Sequence, residues 1–286
     1  MQKNNKAEYD IWVDETVQSK ITVFQIENNN APVIICMPAM GVTASYYEPL
    51  ALNLCSQGFH AITSDLRGVG HSSVRASRSV NFGYHEMVNF DWPAVVEKVK
   101  NIFPDSPIYL LGHSLGGQLN ALYTSQNQEQ VSGIIFVAAG SVYYKGWSFP
   151  KSIGILLGTQ LAKIISKIWG YLPGKQLGFG GKEARTVIRD WAHCASTCYY
   201  EPENSSFNYE TALSTVNLPI LTITLEGDSL APVGSAKNLC NKMSNATVYY
   251  QHMTDSEMVT KGLNHFKWVK HSLPIAEKIK YWVGSE

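Results

Sequence analysis

The chain has 286 residues, 45% of them apolar, with 23 basic and 23 acidic side chains. This is enough apolar material for one large core, and the zero formal charge, with no Lys/Arg block, excludes the electrostatic footprint of a nucleic-acid binder. Five scattered cysteines (Cys36, Cys55, Cys194, Cys198, Cys240) argue against a disulfide framework and, with no apolar run in "MQKNNKAEYDIWVDE" to act as a signal peptide, the expected location is the cytoplasm.

In chain order, alternation over 9–14 and 20–27 around a polar turn at Gln18 and Ser19 predicts an antiparallel hairpin at a sheet edge. Short apolar runs predict buried strands at 33–38, 60–64, 108–112, 134–138, 220–225 and 246–252. Helical patterns lie between them at 47–57, 90–102, 115–126, 232–242 and 265–283. Strands alternating with helices in this way imply a mostly parallel sheet of eight strands covered on both faces. The alternation fails once, between Ala138 and Pro219, across a span too long for a structureless loop. Residues 141–214 are therefore expected to form a helical cap over the strands' carboxyl ends, where open sheets bind ligands, and 1–140 with 215–286 the core. Within the cap, "SIGILLGTQLAKIISKIWGYL" (152–172) has the length of a membrane span. Gln160, Lys163, Lys167 and two interior glycines instead favour burial in a lid, with interfacial membrane contact as the lesser reading.

The stretch "PIYLLGHSLGGQ" (107–118) runs from a strand into a helix through almost no turn, with glycines on both sides of Ser114. Glycines there let strand and helix backbones approach, and a turn so sharp forces its central residue into a strained conformation. Gly112, His113, Ser114, Leu115 and Gly116 satisfy G-x-S-x-G in the strand–turn–helix setting that motif requires. "SDLRGVGHSS" (64–73), "LEGDSLAP" (225–232) and "GLNHFKW" (262–268) follow further strands. Together these residues resemble the α/β-hydrolase superfamily over about residues 9–283. Closest in character is a bacterial group near the serine aminopeptidase and monoglyceride lipase-like branch, to which the cap phrases "GYLPGKQLGFG" and "DWAHC" are similar.

The resemblance implies an α/β-hydrolase fold and a catalytic triad in the order Ser114, Asp228, His265. His265 would activate the Ser114 hydroxyl, and Asp228 would orient the ring. For the base, His252 and His271 compete with His265; for the acid, Glu226 and Asp255 compete with Asp228. The oxyanion would be met by the backbone N–H of Leu115, at a helix start, and by that of Met40, where Pro38-Ala39 replaces the relatives' His-Gly. Asp65 and Arg67 read as braces of their loop, and His113 as a packed neighbour. "HCASTC" (193–198) reads as a packed helix, and no metal or other cofactor is implied. The expected function is a serine hydrolase cleaving a small-molecule ester or thioester through an acyl-enzyme. An acyltransferase using the same triad, or a non-catalytic binding protein on a retained fold, are the alternatives.

Overall fold

The computed structural model describes residues 5–285. Among the described residues, ten strands and nine α-helical segments follow one another as β1 (Asn5–Trp12), β2 (Gln18–Gln25), β3 (Val33–Met37), α1 (Glu48–Ser56), β4 (His60–Ser64), α2 (Tyr84–Glu86), α3 (Trp92–Ile102), β5 (Ile108–His113), α4 (Leu115–Gln126), β6 (Gly133–Val137), α5 (Lys151–Trp169), β7 (Tyr171–Pro173), β8 (Lys182–Ala184), α6 (Arg185–Thr197), α7 (Tyr209–Ser214), β9 (Pro219–Leu225), α8 (Val233–Cys240), β10 (Thr247–Met253) and α9 (Leu273–Val283). The main sheet has eight strands in the order β1-β2-β4-β3-β5-β6-β9-β10. All pairs from β4 to β10 are parallel, while β1–β2 and β2–β4 are antiparallel. Every residue of β3, β4, β5 and β6 is buried, as expected of strands covered on both faces. Along β3, Val33, Ile35 and Met37 face the core layer under α3 and α4, whereas Ile34 and Cys36 face the layer under α1 and α9.

Two boundaries depart from the sequence reading. The hairpin lies earlier, because Asp14 rather than Gln18 organises the turn: its carboxylate accepts from the Thr16 and Val17 N–H groups at 2.8 Å, so Gln18 already belongs to β2. The last helix begins at Leu273, eight residues after the predicted start at 265, and is preceded by a 3-10 turn at Lys267–His271. Pro274 in its first turn explains the break, since proline fits a helix start but blocks the preceding turn.

Between β6 and β9 the chain forms α5, a two-stranded antiparallel β7–β8 ribbon, α6 and α7. Helix α5 ends at Gly170, whose φ of 87° is a left-handed C-cap. Its burial differs from the expectation of a lid helix sunk in the protein: only Thr159 and Ser166 are fully buried. One apolar face looks inward, and the other leaves Ile153, Leu157, Leu161, Ile164 and Ile168 exposed. Among the described residues, no helix is long and apolar enough to cross a membrane. Helix α7 packs on α4, with Tyr209 and Leu213 joining its core layer.

Candidate active site

Strand β5 delivers Ser114 to the mouth of the sheet. Ser114 has φ 54° and ψ −117°, a strained conformation for a residue with a Cβ. The glycines around it are dictated by contact. A Cβ on Gly112 would lie 2.3 Å from the Gly117 Cα, and one on Gly116 would lie 2.4 Å from the Met37 carbonyl oxygen. These approaches seat the start of α4 against the end of β3, so the first turn of the helix and the turn after β3 meet beside Ser114.

Asp228 follows β9, and its side chain is fully buried. One carboxylate oxygen accepts from the Leu230 and Ala231 N–H groups at 2.8 and 3.0 Å. The same carboxylate meets His265 Nδ1 at 2.9 and 3.0 Å. Because a carboxylate only accepts, Nδ1 is the donor of this pair, which turns Nε2 away from Asp228. His265 and Ser114 line the same cavity. The Ser114 hydroxyl has no hydrogen-bond partner among the described residues, an unengaged state common where catalytic contacts tighten only on substrate.

The competing residues lie elsewhere. His252 bonds Thr224 Oγ1 on the β9–β10 edge at 2.9 Å, and His271 sits in the 3-10 turn before α9. Asp255 and Glu226 brace the loop that carries His265. Asp255 accepts from the Gly262 and Leu263 N–H groups at 2.7 Å, and Glu226 accepts from the Asp255 N–H at 2.8 Å. The Leu263 and Gly262 N–H bonds also hold the Asp255 carboxyl below its ordinary pKa.

Met40 and Leu115 both line the cavity. The turn holding Met40 is anchored on two sides. The Ala39 N–H donates to Tyr47 Oη at 2.9 Å, and Tyr47 Oη lies 2.7 Å from His113 Nδ1. The His265 backbone is a hydrogen-bonding neighbour of that ring, and the Trp268 indole nitrogen approaches Nε2 at 3.5 Å. Burial, with the His265 ring nearby, pushes His113 well below its ordinary pKa and keeps it neutral. On the other side, a Cβ on Gly41 (φ 71°) would come within 2.2 Å of the Gly181 nitrogen, so the loop between β7 and β8 lies directly on this turn. Nothing in the sequence marked Tyr47; no periodicity or motif singles out one tyrosine of "SYYEP".

Asp65 and Arg67 have the bracing partners expected of them. Asp65 accepts from the Ala44 N–H at 2.7 Å and from the His71 N–H at 2.8 Å. Arg67 spans Asp14 (2.7 Å) and Asp91 (2.6 Å). Among the described residues no group of three His, Cys, Asp or Glu side chains could hold a metal ion.

The cavity has a volume of about 500 Å³, within the range of small-molecule sites. Its roof is the inner face of α5 (Ile155, Gly158, Ala162, Ile165), and Leu172, Phe179 and Trp191 complete an apolar wall.

Sheet order, strained elbow and carboxylate–imidazole pair are those of an α/β hydrolase. Comparison with known proteins narrows this: the profile of the serine aminopeptidase S33 family matches residues 28–201, and the chain belongs to that family. Rat (Rattus norvegicus) monoglyceride lipase is 22% identical over 223 residues, covering 73% of each chain. Among solved structures, Est1E from Butyrivibrio proteoclasticus, determined with ferulic acid bound, superposes with a TM-score of 0.68 at 14% identity, covering 97% of this chain and 98% of that one. Mouse alpha/beta hydrolase domain-containing protein 10 gives 0.65 at 14% identity over 98% and 99%, and the thioesterase domain from the curacin biosynthetic pathway gives 0.59 at 16% over 96% and 99%.

Proposed function

We propose that this protein is a serine hydrolase that cleaves an ester or thioester with an apolar acyl group through an acyl-enzyme. The observation that carries the reading is that the buried Asp228–His265 pair, 2.9 Å apart, and the strained Ser114 front one apolar cavity. Lipase and thioesterase names among its relatives support the same bond type.

In this mechanism Ser114 Oγ attacks the carbonyl carbon as His265 Nε2 takes its proton. Asp228 holds the ring's tautomer and stabilises the imidazolium. The Leu115 N–H at the first turn of α4 and the Met40 N–H meet the oxyanion, each such donor being worth roughly 3 kcal/mol in the transition state. The tetrahedral intermediate collapses, His265 returns its proton to the departing alcohol or thiol, and water repeats the sequence on the acyl-enzyme to release the acid.

A fluorophosphonate probe tests the assignment. Wild type should label and Ser114→Ala should not; labelling of the alanine variant would move the nucleophile elsewhere. Asp228→Asn should keep its fold, seen by circular dichroism, while kcat for an aryl ester falls by about 10⁴. Near-normal turnover of that variant would assign the acid to another carboxylate.

A further inference from the structure

Helix α5 leaves an apolar stripe on the outside of the protein. At 3.6 residues per turn, Ile153, Leu157, Leu161, Ile164 and Ile168 fall within roughly 80° of one another around the helix axis. Each of the last four is more than half exposed, and Phe149, just ahead of the helix, is 82% exposed. Single exposed apolar side chains are ordinary, but a contiguous row marks a surface that something covers.

The charge around the stripe is one-sided. Over residues 130–182 the chain carries six lysines and no carboxylate side chain, against 23 basic and 23 acidic side chains in the whole. Lys163 and Lys167 run along one edge of the stripe by the same helical spacing, and Lys151 opens the helix. Among the described residues none of these three lysines forms an ion pair, so their charges are available to another surface. The opposite edge of the stripe reaches the cavity. Leu161 belongs to both, since it also lines the cavity, and Leu177, Leu230 and Phe266 line it while exposed. Cavity mouth and stripe thus form one continuous apolar surface.

A helix with lysines beside an apolar face lies in the plane of a bilayer interface rather than across it, and unopposed lysines attract anionic headgroups. A second copy docking through the same face would set lysines against lysines. A helical peptide is received by a groove, whereas this surface is the outer side of a helix. We propose that α5 docks the protein on the surface of an anionic lipid bilayer. The stripe sits among the upper acyl chains, Lys151, Lys163 and Lys167 meet the headgroups, and the cavity mouth faces the lipid. This docking goes beyond the hydrolase reading and does not depend on it.

Flotation of the full chain with phosphatidylcholine vesicles, pure or with one-quarter phosphatidylglycerol, tests it. Wild type should bind the anionic vesicles at least tenfold more tightly at low salt, and the preference should shrink at high salt as exposed charges are screened. The triple variant Leu157→Ser/Ile164→Ser/Ile168→Ser changes no side chain that lines the cavity. It should keep its circular dichroism spectrum and lose vesicle binding at least tenfold. Lys163→Gln/Lys167→Gln should weaken binding to anionic vesicles by about fivefold per lysine and leave the neutral ones unaffected. No binding, equal binding to both vesicles, or binding that survives the serine variant overturns the proposal. If the serine variant does not fold, the lysine variant decides, and an undiminished anionic preference overturns it. A wild-type dimer in ultracentrifugation that the serine variant dissolves, without vesicle binding, gives the face to a second copy and also overturns it. Ser114→Ala should float as wild type does. Failure to float leaves the hydrolase reading intact, and failure of the fluorophosphonate test leaves the docking intact.

Discussion

At Tyr47, one phenol oxygen connects the turn after β3 to the end of β5, the two segments that flank Ser114. It accepts from Ala39 in the turn that carries Met40 and is hydrogen-bonded to the ring of His113, the residue before Ser114; the backbone of His265 is a hydrogen-bonding neighbour of the same ring. Pro38 and Ala39 offer no side-chain hydrogen bond to hold the turn, so it depends on the Tyr47 anchor. Tyr47→Phe keeps the buried ring and deletes the hydroxyl. The expected result is a kcat lower by roughly ten- to a hundredfold, as for a misplaced oxyanion donor, with KM little changed in steady-state assays. An unchanged kcat would show that Tyr47 is packing alone. Ser114, Asp228 and His265 were legible as site candidates because each falls in a recognisable phrase after a strand, Ser114 directly after β5, Asp228 in the turn after β9 and His265 in the loop between β10 and α9. Tyr47 was not, since its bonds join elements distant in sequence, and a tyrosine carries no local signature of a buried, shared hydrogen bond.

Helix α5 shows how far an element can be read from its composition. Its place in a helical insertion was visible, but its stop before Gly170 was not, and Gln160, Lys163, Lys167 and the interior glycines favoured burial in a lid, whereas the structure gives it one face on the cavity and one on the outside. Hydrophobicity reports that a face avoids water and does not say which neighbour covers it. Gly154 and Gly158 sit inside this helix with nothing within 4 Å of the position of a Cβ. Glycine inside a helix costs about 1 kcal/mol relative to alanine, so Gly154→Ala and Gly158→Ala should each raise the melting temperature by roughly 2–4 °C. Calorimetry checks this, and a fall in melting temperature would mean the methyl meets an obstacle. The same added methyls would narrow the cavity that both glycines line, so KM for the longest acyl esters should rise in these variants.

Over the whole molecule, the parallel order of the central strands was readable from buried apolar runs separated by helical patterns, while the hairpin register and the start of α9 were not. Those two depend on single residues, Asp14 folding back on its own turn and Pro274 ending a pattern that hydrophobic spacing alone would carry through. Arg67 ties distant layers together. Its guanidinium, 5% exposed, bridges Asp14 in the hairpin turn and Asp91 in the π-helical turn before α3. Arg67→Met would strand a buried carboxylate, a change that typically costs about 3–5 kcal/mol. Urea unfolding followed by circular dichroism should show the midpoint falling accordingly. The double variant Arg67→Met/Asp91→Leu should recover much of the loss, because it removes the stranded charge as well.

The backbone touch between Gly41 and Gly181 bears on how such enzymes could be re-engineered. Grafting a roof from a cousin onto this core looks modular on paper, since the inserted stretch enters after one strand and leaves before the next. Here the graft's inner edge rests on the turn after β3, with no room for a methyl on Gly41. Chimeras should therefore function only when the recipient keeps glycine at 41 and the donor brings a backbone that lies as close to it as that of Gly181 does.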